Sequence, residues 1–222
     1  MGLLSRDAPG GLSYKVDSWT PVERDERYYI GLDLGYRQDY TALAVISRTD
    51  TYHAERDAAT FERIRTTDFR VRKLARAPLN TEYPEIVRRV ANMLRHPEAQ
   101  GRSMLVVDAT GVGTPVVQMF QREKLGVLLT PVMITPGERE SRHHGTWHVP
   151  KKILIMGLQV MVQERKLRVA RKLDLSRDLI REMQQMRRCS FRGWRSGAHD
   201  DLVLAVALAA WAARREDLWW VR

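Results

Sequence analysis

The chain has 222 residues, 44% of them hydrophobic, with 37 Lys and Arg against 27 Asp and Glu, a formal net charge of +10 and a pI near 10.1. That length gives one large domain or two small ones with a substantial core, and the basic excess favours a polyanionic partner, nucleic acid before an anionic membrane, with charge carried for solubility alone as the alternative. The single cysteine, Cys189, excludes an internal disulfide and cysteine-rich zinc sites, and fits a reducing compartment.

The N-terminal MGLLSRDAPGG lacks the apolar core of a signal peptide. It also misses a myristoylation signal, because position 6 is Arg. Residues 1–27 have no clear period and read as a lead-in or linker, with one domain over 28–222. YYIGLDLG and TALAVISR read as neighbouring strands joined by the turn GYRQDY, and FERIRTTDFRVRKLAR, 61–76, as a third strand. TEYPEIVRRVANMLRH reads as a helix with Thr81 near its N-cap. SMLVVDATGVG, 103–113, is a short strand ending in an acid and a glycine turn. A helix closed by Gly126 follows, and then a strand, VLLTPVMI. TPGERESRHHGTWHVP is a loop or hairpin, KKILIMGLQVMVQERK an amphipathic helix, LRVA a short edge strand, and SRDLIREMQQMRR a helix capped by Ser176. RGWRSGAHDD leads into an apolar helix over 201–215, whose run LVLAVALAAWAA at 202–213 is too short to span a bilayer. Being apolar nearly all round, that helix belongs between layers. Hairpin strands followed by strand–helix alternation predict an α/β fold with a mixed sheet. The expectation is a soluble, intracellular, basic protein.

Carboxylates stand in or beside buried structure at three places: Asp33 among the apolar residues of its strand, Asp108 at the end of LVVD, and Asp200 with Asp201 at the opening of the last helix. A buried carboxylate requires a cation, several hydrogen-bond donors or a metal ion. If the fold brings these acids together, their repulsion raises their pKa values unless a cation lies between them. Mg²⁺ or Mn²⁺ suits such a set, because hard divalent ions take carboxylate and water oxygens. Two such ions about 3.5–4 Å apart can activate a water and stabilise the leaving oxygen in phosphodiester cleavage. Each acid also has a structural alternative. Asp33 can be salt-bridged, Asp108 can satisfy amides of its own turn, and Asp200 and Asp201 can complement a helix dipole. The conjunction of the four points to a nuclease.

GLDLG, VVDATGVGTPVV and HDDLVLAVALA, in that order, resemble the nuclease domain of the large terminase subunit of tailed bacteriophages, and HVPKKILIMGLQ is also similar to that family. The resemblance runs from about Tyr28 to Arg214. It implies a ribonuclease H-like fold, a mixed central sheet with helices on both faces, and cleavage of concatemeric viral DNA during packaging. It implies Asp33 and Asp108 as metal ligands, with Asp33 central, and a third ligand from Asp200 or Asp201. Implied partners are double-stranded DNA, the terminase ATPase domain, the small terminase subunit and the portal protein, in the cytoplasm of an infected bacterium. No GxxxxGK[ST] phosphate loop occurs here, so the expectation is an excised or separately encoded nuclease domain.

Alternatives on the same fold are a Holliday-junction resolvase or a transposase-like nuclease, and a different class is a non-catalytic basic DNA-binding module. An ATPase of the actin class needs two such lobes and is set aside. Candidate DNA contacts are Arg37 in the turn after Asp33, Lys151 and Lys152 at a helix start where positive charge opposes the dipole, and Arg192 and Arg195. The last two stand with Arg187 and Arg188 around Phe191 and Trp194, an interleaving that can grip a backbone and stack a base. His143, His144 and His148 share a polar loop without acid or cysteine partners at zinc spacing. Trp219 and Trp220 dock on the core or contact a partner.

Overall fold

A computed structural model describes residues 20–35, 37, 39–188, 200–215 and 218. In chain order the elements are β1 (Pro21–Asp33), β2 (Ala42–Arg56), β3 (Arg63–Arg76), α1 (Tyr83–Leu94), β4 (Ser103–Asp108), α2 (Gly113–Arg122), β5 (Leu128–Thr135), β6 (Ser141–His143), β7 (Thr146–Pro150), α3 (Lys151–Gln163), β8 (Leu167–Val169), α4 (Ser176–Arg188) and α5 (Asp201–Ala213). The strands form an eight-stranded mixed sheet in the order β6-β7-β5-β4-β1-β2-β3-β8. β1, β4, β5 and β7 run parallel, while β6 is antiparallel to β7. The polar segment after β5 is the β6–β7 hairpin, turned by His144 and Gly145 at φ 48° and 84°, as a two-residue hairpin link requires. LRVA is an edge strand, β8. β1 begins at Pro21, inside the segment read as a lead-in. Thr81 is not the cap of α1. Glu82 holds that position, and the Thr81 hydroxyl donates to the Pro78 carbonyl at 2.6 Å.

The chain divides into two compact units, Met1–Glu26 with Thr49–Asp68, and Arg27–Arg48 with Phe69–Arg222. In the first, Thr67 donates to Asp50 at 2.6 Å and His53 bonds Thr66 at 2.9 Å. The β2–β3 turn winds around Asp57, whose carboxylate accepts the Ala59 and Thr60 amides.

The second unit holds two cores, one on each face of the sheet. Tyr29, Ala44, Ile46, Met104 and Val106 pack with α3, α4 and α5. Ile30, Leu32, Leu43, Leu105 and Val107 pack with α1 and α2. Successive residues of one strand thus serve opposite cores, so strands covered on both faces read as unbroken apolar runs. All of α5 from Asp201 to Ala213 is buried, and it packs against β4, α3 and α4. No helix among the described residues is long and apolar enough to cross a membrane.

The approach of α5 to the sheet depends on Gly31. A Cβ there would stand 2.0 Å from the Ala205 carbonyl oxygen and 2.8 Å from the Ala209 nitrogen. These are helix backbone atoms, which cannot turn aside as a side chain can. Gly31→Ala is expected to push α5 off β1 and destabilise the fold by about 1–3 kcal/mol or more, read as a fall in Tm. Gly137→Ala is the control, since its nearest neighbour would be Thr135 Oγ1 at an ordinary 3.7 Å.

Candidate active site

Asp33 and Asp108 end two adjacent parallel strands. The register pairs Leu32 with Val107, which makes the two acids the next step of the ladder. Turns built around small residues follow both strands. After β1, Thr41 Oγ1 accepts the Gly35 amide at 3.1 Å and donates to the Gly35 carbonyl at 2.9 Å. After β4, one Asp108 oxygen accepts the Thr110 amide at 2.8 Å, and a Cβ on Gly113 would stand 2.1 Å from the Asp108 carbonyl. Asp108 therefore does satisfy an amide of its own turn, with a single oxygen.

α5 crosses β1 at Gly31 and brings its N-terminus toward these strand ends. Burial of Asp33 raises its pKa well above the usual carboxylate value, and the facing charges of Asp108, Asp200 and Asp201 raise it further, against a lowering by Lys151. Burial likewise raises Asp108, opposed by the Thr110 bonds, by Lys151 and by a hydrogen bond from the Asp33 carboxyl. Three of the acids found in the sequence, Asp108, Asp200 and Asp201, thus come within electrostatic reach of the fourth, Asp33. Lys151 joins them, with its ammonium 2.8 Å from Asp200 Oδ2.

The adjacent acids of α5 have different partners. Asp200 holds the N-cap position, yet its side chain caps no amide of the helix. Asp201 is buried, and both its oxygens accept from Arg76, at 2.6 and 3.2 Å. Arg76 also pairs with Glu182 of α4, whose second oxygen accepts the Val203 amide of α5 at 3.1 Å. Burial opposes the charge of Arg76, but the bond to Asp201 and the neighbouring acids outweigh it and raise its pKa. Burial above all pushes Glu182 up to about 7, against lowering by the Val203 amide and Arg76, with the Asp201 and Asp200 charges adding to the rise. Neither Arg76 nor Glu182 stands out in the sequence, since nothing local marks a strand-end arginine or a mid-helix glutamate as partners of a distant aspartate.

The other candidates lie elsewhere. Arg37 is exposed in the turn after Asp33. Lys152 pairs with Glu138 at 2.9 Å. The rings of His143 and His148 meet edge to face at 5.2 Å. Arg192, Arg195, Phe191, Trp194, Trp219 and Trp220 lie outside the described residues, as do the side chains of Arg187 and Arg188. Among the described residues, no three His, Cys, Asp or Glu side chains stand close enough together to form a ready metal site. No protein-family model matches the chain, and no curated protein matches it.

Glu182 gives the site a pH signature. Its folded pKa lies above its ordinary 4.5, at about 7. The stability contributed by its proton is therefore complete below 4.5 and is lost as pH rises through 7. Asp33 and Asp108 are shifted in the same direction. With EDTA present, Tm is expected to fall as pH rises across that window, and to fall less in Glu182→Gln. Thermal denaturation followed by circular dichroism checks the slope, and a Tm that rises with pH would contradict it.

Proposed function

We propose that the chain is a metal-dependent DNA endonuclease of ribonuclease H-like fold, similar to the nuclease domain of large terminase subunits, which cuts concatemeric viral DNA during packaging. The observation that carries this reading is the convergence of Asp33, Asp108, Asp200 and Asp201 from β1, β4 and α5 in a chain that is otherwise strongly basic. Asp33 is buried and faces the charges of the other three, a placement that opposes folding and marks a candidate functional site. The sheet order, with parallel β4 and β5 beside the β1–β3 strands and helices on both faces, supports the same fold.

The donor set suits a hard divalent cation. It offers only carboxylate oxygens, and its excess negative charge is what a cation would relieve. Asp33 and Asp108 would hold Mg²⁺ or Mn²⁺, with a third carboxylate from the Asp200–Asp201 pair. When bound, such ions supply positive charge to the phosphate oxygens and lower the pKa of water. Asp33 and Asp108, fixed at the ends of paired strands, hold a rigid pair of acceptors. Asp200 presents its carboxylate from the start of α5, where it accepts from Lys151. The chain's net positive charge favours association with the DNA backbone, and contacts to phosphate carry no sequence information.

A second reading has its own support. Arg76 and Lys151 already neutralise Asp201 and Asp200, as they would in a basic DNA-binding module whose acids are structural.

Cleavage of supercoiled plasmid separates the two. The nuclease is expected to cut with Mn²⁺ or Mg²⁺ and not with EDTA, at a rate that falls steeply with salt and varies little with sequence. Asp33→Asn and Asp108→Asn are expected to lose at least about 100-fold in rate. Their metal-free Tm should hold or rise, because a repelled buried charge is removed. Absence of cutting by folded wild type under every metal would favour the binding module.

A further inference from the structure

Lys151 opens α3, where the helix dipole disfavours a cation, and no acid occupies the first turn of that helix to offset it. Its ammonium bonds Asp200 across the site at 2.8 Å. Its charge also reaches Asp33 and Asp108, lowering the pKa of each against the burial that raises it. One ammonium thus serves acids from β1, β4 and the start of α5. The adjacent Lys152 instead pairs with Glu138.

We propose that Lys151 is the internal counter-cation of the acid cluster and competes with divalent metal for it, so that this lysine sets the affinity of the site. The inference rests on the reading of the cluster as a metal site. Asp200, with Asp33 and Asp108, would hold a divalent ion only by giving up its bond to Lys151, whose ammonium such a charge would repel at close range. The Lys151–Asp200 pair is built to open. Its side chains are 37% and 25% exposed, and a lysine stem can swing its ammonium into water while the helix stays in place. Arg76 and Asp201 are different, at 19% and 4% exposed and with two bonds between them. Opening that pair would strand a buried charge. Of the two neutralised acids at the start of α5, Asp200 is therefore the one a metal can take from its lysine.

The test is calorimetric titration of the full chain with Mn²⁺, comparing wild type with Lys151→Gln, Lys151→Arg and Lys152→Gln. Lys151→Gln is expected to bind on the order of tenfold more tightly, and the other two variants like wild type. Lys151→Gln is also expected to lower Tm in EDTA, with the deficit shrinking at saturating Mn²⁺ as metal replaces the lost charge. A lysine that only held the fold together would lower Tm equally in both conditions. Equal or weaker Mn²⁺ binding by Lys151→Gln overturns the proposal and leaves the metal site standing. Absence of Mn²⁺ binding by wild type removes both. Should Lys151→Gln not fold, the wild type decides: acetylation of Lys151 by an amine-reactive reagent, read by mass spectrometry, is expected to rise on Mn²⁺ addition while that of Lys152 does not. An unchanged Lys151 rate overturns the proposal.

Discussion

The crossing of α5 over β1 is the contact on which the rest of the site depends. Gly31 lets helix backbone rest directly on strand backbone, and the helix interior, all Ala, Leu, Val and Trp, is buried on every side. A helix held this firmly has little freedom to translate or rotate. Its first turn therefore arrives at a fixed place beside the ends of β1 and β4, and its two aspartates arrive with it. The first glycine of GLDLG serves the helix across the sheet, while the second serves its own turn, where a Cβ would stand 2.2 Å from the Asp39 carbonyl oxygen.

Charge is then divided among the acids. A helix opening with two aspartates has an obvious local use for them, the unpaired amides of its first turn. The structure meets that need from a neighbouring helix, because Glu182 of α4 accepts the Val203 amide. Asp201 is occupied by Arg76, and the Asp200 side chain is left to face Lys151. Capping from outside thus separates the two residues. One acid fixes the helix start, and the other stands in a partly exposed ion pair beside Asp33 and Asp108. Burial of Glu182 among other acids costs stability near neutral pH, which is the expense of placing a capping carboxylate there.

Much of this was legible in the chain itself. The apolar run of α5 predicts a helix packed between layers, because only an element buried all round can be apolar throughout. Asp33 and Asp108 stood out because each interrupts or ends such a run. Lys151 is an oddity in the sequence by its place at a helix start, but the acid it bonds lies 49 positions away, beyond the reach of any local pattern. Thr81 shows the opposite case: cap chemistry suggested one residue, and the backbone placed the helix start at Glu82.

The sequence by itself determined most strands and helices, the mixed α/β class and the identity of the unusual acids, because periodicity and burial cost are properties of neighbouring residues. Only the tertiary structure decided which acids share a field and which cation serves which acid. Arg76, Glu182 and Asp201 lie on β3, α4 and α5, and no spacing rule connects them. Their pairing follows from where three elements meet, and of those three the close backbone packing at Gly31 seats α5.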